Sequence, residues 1–543
     1  MYIKHSFFIG LQHFYKRRQL MPHITKLAIA TSIATVWALG ACTHDASQSP
    51  SEENRFIEYG IATDIRPLDP HTQNIVINWR VGANIYDRLI EQDENLELQP
   101  SLATDWEMLD ELTWEFSLRE DIVFHDGNVF DAEAVKANFE RNLADETTSP
   151  TAYLFQAVEE VEVIDPSTVR FHLNAPFASL PAHLSHHGAS IISPEVIAED
   201  NEAVANGEAP GSVVSEKPIG TGPFQFESWT PDEELVLTAN DDYWGGAPQV
   251  AGVRFTIIPD AATRLANLQS GNSDIIDAVS PSSMPEIEGD PDINVIEVES
   301  TYVNFLAFNT NEAPFDDVRV RQAFAKAIDK NEIFDGIVNG YGSIANSPLS
   351  PFDFGFTEID GFSFDPDEAK ALLAEAGYRE GDLDVTLTVS TEGDQVNIAT
   401  YIQHALAEIG VNVEIEQIEF ATFVEYTGEG KTQMFLLGRS SPTGDGYNGF
   451  FTILHSNKQT SNQLRYPYAN QDLDQLIDAT LATEDEAERS AYFKEAQQLV
   501  AEAVPFHFLY YPSTLTGVSN ELEGVNVIPT GVVFLKDAAF TND

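Results

Sequence analysis

This chain has a single cysteine and few basic residues for its length. Cys42 is the only cysteine among 543 residues, so the sequence excludes an intramolecular disulfide and a thiolate metal cluster. Against 87 aspartates and glutamates there are only 29 lysines and arginines, which gives a formal net charge of −58 at pH 7. Because a surface of that sign repels phosphate groups, we expect no nucleic-acid partner.

The motifs of common catalytic sites are missing too. The chain has no G-x-S-x-G elbow of a serine hydrolase and no H-E-x-x-H pair of a zinc peptidase. The segment TGEGKT at 427–432 resembles a phosphate-binding loop, but that pattern requires glycine at position 425, where this chain has Glu425. The sequence therefore predicts neither an enzymatic activity nor a cofactor.

The excess of acidic residues also indicates the kind of medium in which the protein is stable. Like charges repel one another less in concentrated salt, where screening is short-ranged and an acidic surface keeps proteins dispersed. The excess favours a halophilic or marine source, and the alternative is an acidic protein from an ordinary habitat. A hydrophobic content of 43% with 10% aromatic residues is typical of a folded globular protein rather than a disordered one.

Positions 1–42 are typical of a secretory signal peptide. Residues 1–44 contain no acidic side chain, and a mostly apolar run at 27–39 is too short for a permanent membrane span. The run ends in LGAC, which resembles a bacterial lipobox and predicts lipidation of Cys42. The polar residues 43–55 read as a flexible tether. Two points stay open, namely whether translation starts at Met1 or Met21 and whether Arg17 and Arg18 belong to a weak twin-arginine motif.

Beyond residue 55 the sequence alternates strand-like and amphipathic helical segments, which predicts an α/β protein. Residues 113–118 are predicted as a strand and residues 132–141 as a helix. The segment DPDEAKALLAEAG at 365–377 opens on a capping aspartate and closes on a glycine, as a helix does. A strand at 383–390, a helix at 399–409 and a strand at 411–417 predict a βαβ unit.

Several stretches resemble, in the right order, the large family of extracytoplasmic solute-binding proteins for peptides and nickel that serve ABC importers. The resemblance extends over roughly residues 56–540 and is nearest to the dipeptide- and glutathione-binding members. The stretches that carry it are LQPSLATDW (98–106), FSLREDIVFHDG (116–127), FDAEAV (130–135), PIGTGPF (218–224), PFDDVRVRQAFAKAIDK (314–330) and DPDEAKALLAEAGY (365–378).

The resemblance implies a two-lobed periplasmic-binding-protein fold of the class II type with an extra subdomain. Lobe I is expected to comprise 56–304 plus 515–543 and lobe II 305–514, with crossings near 302–309 and 505–512. It further implies a monomer that closes around a small peptide-like ligand and delivers it to a permease and its ATPase. Such a protein would sit on the extracytoplasmic face of the membrane, anchored through Cys42.

The binding site is also an expectation carried by the resemblance. In dipeptide binders an aspartate of the second lobe accepts the ligand's α-ammonium, and in the segment GRSSPTGD at 438–445 this role falls to Asp445. The alternative is that Asp445 only caps a turn in the glycine-rich loop. Arg439 replaces the family's usual tryptophan and is expected to bind an anionic group, the alternative being that it only neutralises nearby acidic side chains. The other predicted wall residues are Tyr302, Asn304, Tyr447 and Asn448.

Two alternatives stay open at this point. The arginine that dipeptide binders use for the ligand's C-terminus falls near Val396, an apolar residue, which puts a plain dipeptide specificity in doubt. A nickel chelate held by His71, His183 or His187 is therefore a second possible ligand, although no metal site is predicted outright. A secreted hydrolase on a two-lobed scaffold is the third hypothesis.

Overall fold

The computed structural model describes residues 55–541 except positions 66, 392 and 457–467. The predicted signal peptide, Cys42 and nearly all of the predicted tether lie outside the described residues. The part from Pro50 to Asp543 forms one compact unit by its internal contacts. None of the described helices has the length and apolar character needed to cross a membrane.

The described residues form strands that are numbered here in chain order. They are β1 (Phe56–Ile61), β2 (Ile90–Gln92), β3 (Leu98–Pro100), β4 (Ala103–Asp110), β5 (Thr113–Leu118), β6 (Val158–Asp165), β7 (Thr168–Leu173), β8 (Phe224–Thr230), β9 (Glu234–Ala239), β10 (Gly252–Ile257), β11 (Ile275–Ile276), β12 (Ile293–Glu299), β13 (Tyr302–Phe308), β14 (Gly342–Ile344), β15 (Leu383–Ser390), β16 (Val411–Ile418), β17 (Met434–Ser440), β18 (Phe506–Ser519), β19 (Leu522–Glu523), β20 (Asn526–Val527), β21 (Val533–Phe534) and β22 (Ala539–Phe540).

The α-helices are numbered in the same way. They are α1 (Val76–Gly82), α2 (Ala132–Leu143), α3 (Leu180–Leu184), α4 (Pro194–Ala205), α5 (Ser212–Glu216), α6 (Ala261–Gln269), α7 (Met284–Ile287), α8 (Val318–Ala327), α9 (Lys330–Gly336), α10 (Pro366–Glu375), α11 (Gln395–Glu408), α12 (Phe420–Gly428), α13 (Gly446–Leu454), α14 (Gln471–Ala479) and α15 (Glu486–Ala503).

The long strand β18 connects the two halves of the largest sheet. That sheet has the order β16-β15-β17-β13-β18-β11-β1-β10-β9-β8, with β12 and β14 also paired to β18. Up to Pro512, β18 pairs with β13 and β14, and from Ser513 onward it pairs with β12 and β11. The chain therefore crosses between the halves of this sheet inside β18 and again between β12 and β13.

We call the part between these crossings the second lobe and the rest of the described chain the first lobe. The first lobe also contains a four-stranded sheet of order β4-β5-β7-β6, packed against α2. β5 and β7 alternate buried and more exposed residues along much of their length because one face covers a core. One continuous hydrophobic cluster joins Phe116, Phe139 and Phe171 of this layer to Phe450 and Phe493 of the second lobe.

The predicted βαβ unit is confirmed. Strands β15 and β16 run parallel in register from Leu383↔Val411 to Ser390↔Ile418, and α11 connects them. The predicted strand at 113–118 is β5, and the predicted helix at 132–141 is α2 with one further half-turn. The segment at 365–377 forms α10, whose N-cap Asp365 accepts a hydrogen bond from the Glu368 amide.

The PIGTGPF segment has a packing role that explains its residue types. A side chain at Gly220 or Gly222 would collide with the Ile85 backbone, so only glycine permits this close approach. Between them, Thr221 donates a 2.8 Å hydrogen bond to the buried carboxylate of Asp87. The segment therefore fixes the scaffold of the first lobe and takes no part in the cavities described below.

Candidate ligand-binding site

Four of the six predicted site residues line two cavities, and Asp445 and Arg439 lie outside the walls of both. Tyr302 and Asn304 of β13 pair with Ser440 and Gly438 of β17, and the Tyr302 ring covers the α-carbon of Gly438. Both residues line a cavity of about 380 Å³ within the second lobe. We call it the β13 cavity, and its wall also contains Asp394, Phe420, Leu437 and Tyr510.

The second cavity has a volume of about 310 Å³ and lies between the lobes. We call it the inter-lobe cavity because both lobes contribute to its wall. Its lining includes Tyr153, Phe177 and His183 from the first lobe and Tyr447, Asn448 and Phe451 from the second. The Phe177 and Tyr447 rings meet edge to face with centroids 5.8 Å apart. Of these six wall residues, the sequence predicts Tyr447 and Asn448 as ligand contacts and His183 as a contact in the nickel alternative.

Arg439 connects the two cavities. Its side chain hydrogen-bonds the hydroxyl of Tyr153, a residue of the inter-lobe cavity, and lies close to the Tyr302 hydroxyl in the β13 cavity. Burial lowers the pKa of Arg439 and raises the pKa of Tyr302 to about 12, so the guanidinium is a desolvated cation close to the neutral phenol of Tyr302. A ligand anion bound beside Arg439 would form a charge-assisted hydrogen bond with the guanidinium, which is stronger than a hydrogen bond to a tyrosine hydroxyl.

Asp445 is fully engaged by donors of the protein itself. It is the N-cap of α13, where Oδ1 accepts hydrogen bonds from the Tyr447 amide at 2.9 Å and from Ser179 Oγ at 3.0 Å. Its Oδ2 accepts a 2.8 Å bond from Arg489 Nη2, and the side chains of both residues are at least nine-tenths buried. The capping alternative therefore describes the observed contacts, and the role as an ammonium partner stays a prediction.

The charge state of Asp445 follows from these contacts. Burial by itself raises the pKa of a carboxyl, but the charge of Arg489, its hydrogen bond and the Tyr447 amide together hold the pKa of Asp445 below its usual value. The carboxylate is therefore ionised at neutral pH and forms a buried ion pair. Sequence reasoning missed Arg489, which lies 44 positions downstream on an acidic helix with no motif around it.

The histidines of the first lobe lie in different surroundings. His183 Nδ1 donates to the carbonyl of Leu154 at 2.9 Å, which leaves Nε2 as an acceptor, and burial lowers the pKa of His183 to about 4. His71 belongs instead to a buried network with Arg141, whose guanidinium also pairs with Asp69 at 2.6 Å. Within the described ranges no group of three metal-ligating side chains comes together.

Comparison with known proteins identifies the family to which this architecture belongs. Residues 97–461 match the family profile described as bacterial extracellular solute-binding proteins, family 5 Middle. The chain belongs to this family. A family 5 protein has the two-lobed fold predicted from the sequence, and that prediction is confirmed.

Among curated proteins, this family 5 chain is similar to heme-binding protein A of Haemophilus influenzae. The two are 30% identical over 540 residues, which cover 93% of this chain and 97% of the relative. The dipeptide-binding protein of Escherichia coli is 29% identical over 82% of this chain and 87% of its own length. A crystal structure of the dipeptide-binding protein of Pseudoalteromonas sp. SM9913 with Met-Leu superposes with a TM-score of 0.77 at 27% identity, covering 90% of this chain and 100% of that one.

Proposed function

We propose that this family 5 protein captures a short peptide or peptide-like solute between its lobes, outside the cytoplasmic membrane, and presents it to the permease and ATPase of an ABC importer. The inter-lobe cavity carries the proposal, because residues of both lobes form its wall. Its volume of about 310 Å³ lies at the lower end of the range for small-molecule sites. The peptide-binding relatives support a ligand of this class.

The wall chemistry favours a ligand that carries hydrogen-bond donors at one end and an anion at the other. His183 Nε2 and Asn448 Oδ1 are buried and have no hydrogen-bond partner among the described residues. The lone pair of a neutral imidazole and a carbonyl oxygen both accept hydrogen bonds, which an ammonium or a peptide N–H supplies. Arg439, which hydrogen-bonds Tyr153 of the cavity wall, offers the positive charge for a carboxylate. A free dipeptide has both features.

Calorimetry with Met-Leu and its C-terminal amide tests this assignment. Arg439→Gln should weaken Met-Leu binding by about 10- to 100-fold, since a charge-assisted bond contributes about 1.5–3 kcal/mol, and should affect the amide much less. Arg170→Gln is the matched control, because that guanidinium pairs with Glu115 on the four-stranded sheet, away from both cavities. Equal losses for acid and amide would remove Arg439 from carboxylate recognition.

A wider screen tests the ligand class. Thermal shifts should be recorded with di- to pentapeptides, glutathione, hemin and nickel with histidine. At 100 times the dissociation constant, a true ligand adds about 2.7 kcal/mol to the stability of the folded protein. A shift with nickel and histidine alone would favour the chelate alternative. Turnover of peptides would revive the hydrolase hypothesis, which the solute-binding family does not favour.

The proposal includes attachment to the outer face of the membrane through a lipid on Cys42, with the folded part acting as a monomer. The lipobox-like LGAC and the polar segment that follows it support the lipid anchor. A lipid anchor keeps the captured solute close to the permease, which raises the effective concentration of the binding protein there.

A further inference from the structure

The buried pair of Asp445 and Arg489 holds a residue of the opposite lobe. Ser179 Oγ donates to Asp445 Oδ1 at 3.0 Å and accepts from Arg489 Nη2 at 2.9 Å. Asp445 and Arg489 belong to the second lobe, whereas Ser179 follows β7 in the first lobe and precedes α3. With exposures of 1%, 3% and 7% for Ser179, Asp445 and Arg489, these contacts are shielded from water.

Further hydrogen bonds join the same parts of the two lobes. The Ala178 amide donates to the Leu481 carbonyl at 3.1 Å, so the backbone beside Ser179 is held as well. Elsewhere on the interface, Gln92 Nε2 donates to the Thr443 carbonyl at 2.7 Å, two positions before Asp445. Both acceptor carbonyls belong to the second lobe. The interface around Ser179 is therefore ordered by directional bonds in addition to apolar packing.

The segments that meet at Ser179 also form the inter-lobe cavity. Phe177 and His183 lie on either side of Ser179 in the chain, and Tyr447 and Asn448 follow two and three positions after Asp445. Separation of the lobes would take Ser179 out of its contacts and open the cavity wall in one movement. Seating of Ser179 and enclosure of a ligand are thus coupled by geometry.

We propose that Ser179 and the Asp445–Arg489 pair form a latch that holds the lobes closed over the ligand. All three are positioning residues that act on the ligand through closure. Asp445 and Arg489, the two latch residues that bind Ser179, are held in place by groups of the second lobe. The Tyr447 amide donates to Asp445, and Arg489 Nε donates to the Thr480 carbonyl at 2.8 Å. In the open form water replaces the serine hydroxyl, so the latch is reversible. The proposal rests on the proposed function in one respect, namely that the lobes close around a solute.

The test compares Ser179→Ala with wild type by single-molecule energy transfer. Dyes are placed on the full chain through Glu111→Cys in the first lobe and Glu425→Cys in the second, with Cys42→Ser removing the native thiol. Both glutamates are exposed. Ser179→Ala removes the hydroxyl and keeps the Asp445–Arg489 pair. Ser185→Ala is the matched control, since its buried hydroxyl donates to the Ala182 carbonyl of its own lobe and to no other group in the described part of the chain.

Loss of a hydroxyl that bonds two charged groups should shift the closed-to-open equilibrium about tenfold toward the open form. The dissociation rate of Met-Leu should rise by a similar factor, while the thermal midpoint stays within about 1 °C of Ser185→Ala. Identical closed fractions for Ser179→Ala, Ser185→Ala and wild type without ligand would overturn the latch. If Met-Leu leaves wild type unchanged, the proposed ligand is wrong, and the ligand-free comparison still decides on the latch.

Discussion

Replacement of Asp445 by asparagine separates a structural role of this residue from a role in ligand binding. Asparagine is nearly isosteric and is as good an N-cap as aspartate, so the start of α13 and the contact with Ser179 are preserved. What disappears is the negative charge that Arg489 faces at 2.8 Å. The variant therefore tests the ion pair and little else.

The size of the effect follows from burial. The side chains of Arg489 and Asp445 are 9% and 4% exposed, so removing the carboxylate charge leaves a guanidinium with little access to water. Removing one partner of such a buried ion pair lowers the free energy of unfolding by about 3–5 kcal/mol. For a lobe of about 200 residues this lowers the thermal midpoint by on the order of 10 °C.

The pH dependence has a definite sign. Because the pKa of Asp445 is lowered in the folded protein, its ion pair stabilises the fold at neutral pH, and this contribution is lost as the pH falls below about 4. Asp445→Asn should be less stable than wild type at pH 7 and should lack this acid-dependent loss. Denaturant unfolding at several pH values measures both effects.

The control is Asp131→Asn, which changes the N-cap of α2, where the side chain accepts from the Ala134 amide and pairs with no cation in the described part of the chain. Its stability should change by less than about 0.5 kcal/mol. If Asp445→Asn matches this control in stability and loses affinity for ligands with a free ammonium group, the structural reasoning is refuted. The role predicted from the sequence would then hold.

Two further predictions concern groups outside the latch. Burial raises the pKa of Asp353 to about 7, so the fold should lose stability as the pH rises from about 4 to 7, and Asp353→Asn, which cannot ionise, should lack this loss in denaturant titrations. Lipidation at Cys42 predicts that wild type fractionates with membranes and that Cys42→Ser is released into the soluble fraction. Equal partitioning of the two proteins would contradict the anchor.

The local pattern of the sequence was sufficient for most of the fold that surrounds the site. Alternation at 383–390 and 411–417 and helical spacing between them identified β15, α11 and β16, because each element satisfies its own periodicity. Strand β18 was not predicted at its full length. Its residues are held by β13 and β14 up to Pro512 and by β12 and β11 beyond it, and no local pattern contains those partners.

The site was harder to predict because its contacts join distant positions. The loop at 438–445 was identified, yet Ser179 lies 266 positions before Asp445 and Arg489 lies 44 after it. In a chain with 87 acidic residues, a carboxylate that a buried arginine neutralises cannot be recognised from its neighbours in the sequence. The family resemblance pointed to this segment, and which of its residues bind solute stays a prediction.

The distribution of arginines leads to a final prediction about salt. Several of the few arginines are buried inside the fold, where they hydrogen-bond or form ion pairs with other groups of the protein. They are Arg88, Arg141, Arg264, Arg321 and Arg489. The surface is correspondingly richer in unpaired carboxylates. At physiological ionic strength, salt largely screens the interaction between exposed charges that are more than about 8 Å apart. It weakens buried ion pairs much less.

Raising NaCl from 0.2 to 2 M should therefore increase the free energy of unfolding, since repulsion among surface carboxylates destabilises the compact state. The ratio of closed-to-open constants between wild type and Ser179→Ala should stay the same over that range, because the Ser179 contacts are only 1–7% exposed. Denaturant unfolding and energy transfer in the same buffers measure the two quantities. A constant unfolding free energy would contradict a salt-adapted surface. A ratio that falls toward one with added salt would show that solvent reaches Asp445 and Arg489 in the closed form.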